Sequence, residues 1–129
     1  MYTAKVLVVD DSPTMRQLII FALQRLPGLQ MTEAGDGVAA LKQLSSEKYD
    51  LLLTDINMPM MDGLKLVRLV RNDRLYMKLP IVVITTEGSD MTRERVIATG
   101  ADEYITKPLQ TTHLIEVVRR LLAPEYQHG

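Results

Sequence analysis

The 129 residues carry 15 Lys plus Arg against 16 Asp plus Glu, a net charge of −1, and no Cys. A chain of this length fits one domain and buries roughly two thirds of its unfolded surface, enough for a conventional core. The charge balance lacks the basic excess of a nucleic-acid binder, and the missing thiols exclude disulfides and thiolate metal sites.

Strand-like sequence begins by Lys5, and its short apolar run ends at Asp10 and Asp11. That fits neither a secretory signal nor a membrane span, so no membrane partner is expected and the cytoplasm is the expected compartment. Val6 to Val9 is a continuous β-rich run. Ser12 can cap a helix with Pro13 at its first position. At 100° per residue, Met15, Leu18, Ile19, Ala22, Leu23 and Leu26 share one arc, which predicts a helix from about Pro13 to Leu26 packed on a sheet. Ile20 and Phe21 fall outside that arc, Phe21 beside Thr14, Gln17 and Arg25.

Pro27-Gly28 breaks the helix, and Leu29 to Ala34 then alternates apolar and polar residues as an edge strand does. Asp36 caps a helix expected to turn Val38, Leu41 and Leu44 inward. Leu51, Leu52 and Leu53 show no alternation, so this run reads as a strand covered on both faces in a parallel sheet. It delivers Asp55 to a loop, and Pro59 and Gly63 prevent easy continuation. The next helix carries Lys65, Arg68 and Arg71 on one face, read as solvated, with Leu66, Val67, Leu69 and Val70 opposite.

Pro80 introduces Ile81 to Ile84, another continuous apolar strand, which ends at Thr85-Thr86-Glu87-Gly88. A helix over about Ser89 to Thr99, closed by Gly100, has few apolar residues beyond Met91, Val96, Ile97 and Ala98, so its anchoring should be weak. Asp102 to Thr106 is a short polar strand ending at Lys107-Pro108. The last helix uses Leu114, Ile115, Val118, Leu121 and Leu122, and residues 123–129 read as a tail.

Five strands alternating with five helices is the pattern of an α/β domain. Continuous apolar runs mark strands one, three and four as central, and mixed runs mark two and five as edges. A doubly wound parallel sheet of order 2-1-3-4-5 satisfies both. With right-handed crossovers the order reverses between strands one and three, so Asp10, Asp11 and Asp55 converge at one crevice. Three crowded carboxylates repel and call for a cation. Oxygen donors favour a hard ion, Mg²⁺ above others, because it keeps waters that a phosphate can replace. Thr85 and Lys107 reach the same edge from strands four and five, and a hydroxyl, an ammonium and a metal around one free carboxylate suit phosphoryl transfer.

Singly, each part has an ordinary reading. Asp10-Asp11 serve as turn or cap residues, Thr85-Thr86-Glu87 as a helix start, Lys107-Pro108 as a surface turn and Tyr104 as a half-buried strand aromatic. Met58, Met60 and Met61 read as adaptable packing, and His113 and His128 have no partner signature. Joint placement at separate strand ends is what lifts the constellation above these readings.

In that order, V-L-V-V-D-D-S, L-L-L-T-D-I-N-M-P-M-M-D-G, I-V-V-I-T-T-E and A-D-E-Y-I-T-K-P resemble the receiver domain of two-component response regulators. The resemblance covers about residues 5–122 and implies one receiver domain over 1–129 with a flavodoxin-like (βα)5 fold. It implies that Asp55 accepts phosphate from a phosphohistidine on a sensor histidine kinase or phosphotransfer protein. Asp11, the Asp55 carboxylate and the Asn57 backbone carbonyl would hold Mg²⁺, with Asp10 acting mainly through water. Thr85 and Lys107 would contact phosphoryl oxygens. Tyr104 would be an aromatic switch whose ring turns inward as Thr85 moves toward the phosphate, and the Lys107–Pro108 bond is expected to be cis.

The chain would then be a phosphoacceptor signalling protein rather than an enzyme, supporting its own Mg-dependent phosphorylation and dephosphorylation. D-D-S-P-T-M-R, Asn57 and Glu87 look most like the chemotaxis-type regulator. Its implied partners are the phosphodonor, a downstream protein such as a flagellar motor switch component and, where one exists, a phosphatase. With no room after Leu122 for an output module, the signal is expected to leave through a face formed by helix four, strand five and helix five. Thr86 and Leu109 depart from that type, where a smaller residue and an aromatic are common, and Thr86 would restrict access to the acyl phosphate. Ile20 and Phe21 are expected to help dock the phosphodonor.

Alternatives are weaker on the residues. A hydrolase of the haloacid dehalogenase pattern wants a second acid two positions after its nucleophile, where Asp10 is followed by Ser12. A flavodoxin's phosphate would be repelled by Asp10-Asp11, and the absence of G-x-x-x-x-G-K leaves nucleotide use unsupported. A phosphate-independent interaction module of the same fold stays open.

Overall fold

The computed structural model describes residues 3–122. Strands β1 (Ala4–Val9), β2 (Leu29–Ala34), β3 (Leu51–Thr54), β4 (Ile81–Thr85) and β5 (Glu103–Thr106) form one parallel sheet in the order β2-β1-β3-β4-β5, as expected. Helices α1 (Pro13–Leu23), α2 (Gly37–Ser46), α3 (Gly63–Arg71), α4 (Asp90–Thr99) and α5 (Thr111–Leu121) connect and follow them. A short 3₁₀ turn at Arg74–Tyr76, which periodicity did not reveal, precedes β4. The expected tail over 123–129 lies outside the described residues. Among those residues no helix is long and apolar enough to cross a membrane.

The unbroken apolar runs are explained by two separate cores. Leu7, Val9, Leu52, Ile81, Val83 and Tyr104 face a cluster completed by α2, α3 and α4. Val6, Val8, Leu51, Leu53, Val82, Ile84 and Ile105 face the opposite one, completed by α1 and α5. Alternate residues thus point to opposite faces, and each face needs an apolar side chain because helices cover both.

Four helices begin on a side chain that accepts a backbone N–H of the first turn: Ser12 from Met15, Asp36 from Ala39, Asp62 from Lys65 and Ser89 from Thr92. These caps set where each loop over the sheet's carboxyl edge ends. Gly100 closes α4 at φ 126°, a conformation that disfavours a side chain.

Several inward assignments change. Helix α1 stops at Leu23, with Leu26 buried just beyond it in the turn. Leu18 and Ile20 flank its buried arc on opposite sides, and only the flank of Ile20 is packed; Leu18 is 55% exposed. In α2 the buried stripe is Gly37, Ala40 and Leu44, while Val38 is exposed; a Cβ on Gly37 would meet the side chain of Met61, which packs over it. Leu69 of α3 is likewise exposed, and Val117 of α5 is buried although no expectation named it. Helix α4 buries only Val96, in line with weak anchoring.

Candidate functional site

Parallel register brings the acids together. Val9 pairs with Thr54 and Thr54 with Val83, so the residues after β1 and β3, Asp10 and Asp55, leave the sheet side by side. The Asp55 amide donates to the Val9 carbonyl at 3.1 Å, extending the ladder into the loop. Ligand oxygens of Asp10, Asp11 and Asp55 lie within 4.8 Å of one another; Asp10 and Asp55 are buried and Asp11 is exposed.

Each buried acid has one oxygen held by the backbone and one held by the same lysine. Asp10 Oδ1 accepts the Ser12 N–H at 2.9 Å, and Asp55 Oδ1 accepts from Ile56 at 2.6 Å and from Asn57 at 3.3 Å. Lys107 Nζ donates to Asp10 Oδ2 and to Asp55 Oδ2, at 3.1 Å each. Burial alone would pull the Lys107 ammonium toward the neutral form. Hydrogen bonds and charge from Asp10 and Asp55 outweigh it and hold the pKa above that of an ordinary lysine. One cation against three carboxylates leaves the pocket electronegative, and its hard oxygen donors fit a divalent ion such as Mg²⁺.

The loop carrying Asp55 is locked from behind. Thr54 Oγ1 donates to the Asp55 carbonyl at 2.9 Å, and the Gly63 N–H donates to the Ile56 carbonyl at 2.8 Å. A Cβ on Gly63 would stand 1.9 Å from the Asp55 carbonyl oxygen. Sequence reading took Gly63 for a breaker; the structure shows that only a glycine lets α3 start this close to the acid. Of the neighbouring methionines, Met58 is buried and Met61 packs over Gly37, whereas Met60 is exposed, with a positive φ of 68°.

The other candidates fall into place with one surprise. Thr85 pairs with Thr106, its carbonyl accepts the Lys107 N–H at 2.8 Å, and the Lys107–Pro108 bond is cis. Thr85 is fully buried, and its Oγ1 is 3.4 Å from the Glu87 N–H that it accepts from. Asn57 and Thr86 are exposed, and Leu109 packs partly on the α1 and α5 core. Tyr104 is already buried against α4, and its hydroxyl has no partner among the described residues. Burial first, and the nearby Glu87 charge second, push its phenol above the usual pKa.

Two arginines escaped the sequence reading. Arg71, assigned to a solvated face, donates to the carbonyls of Gly100 and Tyr76 and to Asp102 Oδ2, each at 2.8 Å, tying α3 to the end of α4 and the start of β5. Arg16 donates to the Asp10 carbonyl at 2.6 Å. The only signal for Arg16 was its place in D-D-S-P-T-M-R, since a lone cation among helix residues normally reads as surface.

A doubly wound parallel sheet with an acid trio and a lysine at its carboxyl edge defines the α/β proteins that handle phosphoryl groups through a carboxylate. The sequence matches the family model described as response regulator receiver domain over residues 6–119, and the chain belongs to that family. It is 41% identical over 119 residues to the chemotaxis protein CheY1 of Helicobacter pylori, covering 92% of this chain and 96% of that one. The chemotaxis response regulator CheY4 of Vibrio cholerae superposes with a TM-score of 0.86 at 36% identity, over 94% of this chain and all of that one. A third structure, the receiver domain of a sensor histidine kinase from Pseudomonas aeruginosa with a magnesium ion coordinated in its active-site cleft, superposes with a TM-score of 0.83 at 27% identity over 93% of this chain and 98% of that one. Receiver domains are signalling phosphoacceptors rather than classical enzymes, and they work between histidine kinases and downstream targets.

Proposed function

We propose that Asp55 reversibly carries a phosphoryl group received from a phosphohistidine of a sensor histidine kinase or phosphotransfer protein. An Asp55 carboxylate oxygen attacks phosphorus, the P–N bond breaks as the P–O bond forms, and the departing imidazole takes up a proton. The observation that carries this reading is the shared contact of Lys107 with Asp10 and Asp55, a partly buried ammonium beside the carboxylate proposed to attack. Lys107 balances the charge gained by the phosphoryl oxygens, and Thr85 turns its hydroxyl from the Glu87 amide toward them. Asp11, Asp55 and the Asn57 carbonyl would hold Mg²⁺, with Asp10 acting through water; the bound ion supplies charge neutralisation for the transferring group.

Phosphorylation adds a charge of about −1.5 to −2 and three strong acceptors. Charge-assisted hydrogen bonds contribute about 1.5–3 kcal/mol each, and reversing a 1:99 population takes about 5.5 kcal/mol. Two new bonds, to Lys107 and Thr85, therefore supply most of what a two-state domain needs. The element free to respond is α4, which buries only Val96. Beside it, a cleft of ≈ 400 Å³ between α4, β5 and α5 is lined by Arg93, Tyr104, Gln110 and His113 among others, and output to a downstream protein leaves through this face. The relatives named for chemotaxis support a target in that pathway, and a flagellar motor switch component reached in the cytoplasm is the target proposed for this chain.

Incubation with acetyl phosphate and Mg²⁺, followed by intact mass, tests the chemistry. A single phosphoryl adduct that disappears in Asp55→Asn supports it. Turnover of many phosphoesters favours a hydrolase, and no adduct at all favours a phosphate-independent interaction module.

A further inference from the structure

Of the three pocket acids, Asp11 is the exposed one, and among the described residues no hydrogen bond or ion pair holds its carboxylate. What the backbone fixes for Asp11 is therefore the origin of its side chain, the Cα–Cβ bond that follows the peptide plane joining Asp10 to Asp11. That plane is gripped by Arg16. The guanidinium Nη1 donates to the Asp10 carbonyl at 2.6 Å, while Nε donates to Glu33 Oε1 on the edge strand at 2.9 Å. Glu33 also accepts from Gln17 Nε2 at 3.1 Å, so the far end of the guanidinium is itself anchored. The Arg16 side chain is 16% exposed, well below what a solvated helix cation shows.

We propose that Arg16 is a positioning residue for the divalent cation, fixing the Asp10–Asp11 peptide so that the Asp11 side chain leaves the backbone within reach of the acid pocket before the ion arrives. The inference rests on the reading of the acid pocket as an Mg²⁺ site. A loose peptide must be ordered together with its side chain when the ion binds, and a fixed one leaves only the side-chain rotamer to be ordered. The planar guanidinium holds its Nη1 and Nε donors at a fixed separation and angle, matching the Asp10 carbonyl on one side and Glu33 on the other, whereas a lysine donates from a single atom and must bring both partners to that point.

Groups that orient a metal ligand from outside the coordination shell typically cost 10–100-fold in affinity when removed. The test is an Mg²⁺ titration of the full chain followed by ¹H–¹⁵N NMR shifts, with the thermal midpoint of each metal-free variant recorded alongside. Arg16→Ala should raise the dissociation constant about ten-fold and Arg16→Lys by an intermediate amount. Gln17→Ala, which loosens Glu33 without touching Asp10, should leave it unchanged. If Arg16→Ala does not fold, Glu33→Gln replaces it, with a rise of about three-fold expected because one anchor remains. Affinity within two-fold of wild type in the variant used, or an equal loss in Gln17→Ala, overturns the role of Arg16. A wild-type chain whose spectrum ignores millimolar Mg²⁺ instead overturns the reading of the pocket itself, and the inference with it.

Discussion

Lys107 Nζ stands 3.1 Å from Asp55 Oδ2, joining the carboxyl ends of β5 and β3 across the intervening strand β4. The same ammonium contacts Asp10, so one side chain from the fifth strand balances acids delivered by the first and third. Its folded pKa is raised, so the stabilisation is fully present below the ordinary lysine value of about 10.4 and is lost as pH rises through the folded one. Lys107→Met should therefore lower stability at pH 7 by about 1.5–3 kcal/mol. The gap should narrow in strongly alkaline solution, as pH rises through that raised value and the wild type loses the same contribution. Urea unfolding under both conditions, with and without Mg²⁺, measures this, and added Mg²⁺ should recover more stability in the variant than in the wild type.

Gly63→Ala places a Cβ against the Asp55 carbonyl oxygen and within 2.8 Å of Ile56 Cα, backbone atoms that cannot turn aside. The loop must shift, at a cost at or above the upper end of the roughly 1–3 kcal/mol typical of overpacking. Because the displaced segment carries Asp55, acyl-phosphate formation should fall with stability. Retention of wild-type melting and wild-type phosphorylation together would show that the loop has slack this geometry denies.

The buried Tyr104 hydroxyl lacks a hydrogen bond among the described residues, which costs desolvation without return. Tyr104→Phe should thus be neutral or stabilise the unphosphorylated protein by up to about 1 kcal/mol. The fold buries the neutral phenol and raises its pKa, so this side chain's contribution is constant below the ordinary tyrosine value of about 10 and declines above it. Chemical unfolding of both proteins at pH 7 and pH 11 checks the pair of statements. A clear loss at pH 7 would mean that the hydroxyl has a partner.

Leu18 and Phe21 sit three residues apart on α1, 55% and 72% exposed, and so lie on one side of that helix. Ile20, expected with Phe21 to help dock the phosphodonor, is partly buried against the α1 and α5 core, so we propose that docking uses Phe21 with Leu18 instead. Phe21→Ala should leave stability within about 0.5 kcal/mol and slow phosphotransfer from a protein donor while sparing acetyl phosphate. Equal slowing with both donors would reject docking through Phe21.

What the sequence by itself determined was the sheet and the meeting of its acids. Continuous apolar runs at Val6–Val9, 51–53 and 81–84, bounded by turn residues and too short for helices, read as strands covered on both faces, and a residue just past such a strand emerges at the carboxyl edge. Both statements depend on local periodicity, which short-range sterics and burial write into the chain. Tertiary structure alone decided which flank of α1 is closed, that α2 buries Gly37 and Ala40 rather than Val38, and that Gly63 is a close contact more than a break. It alone turned Arg71 from a solvated cation into a tie between α3 and Gly100, and gave Arg16 its grip on the Asp10 carbonyl. These features depend on what lies opposite a residue, often tens of positions away, and periodicity reports the direction a side chain takes but not the neighbour that waits there.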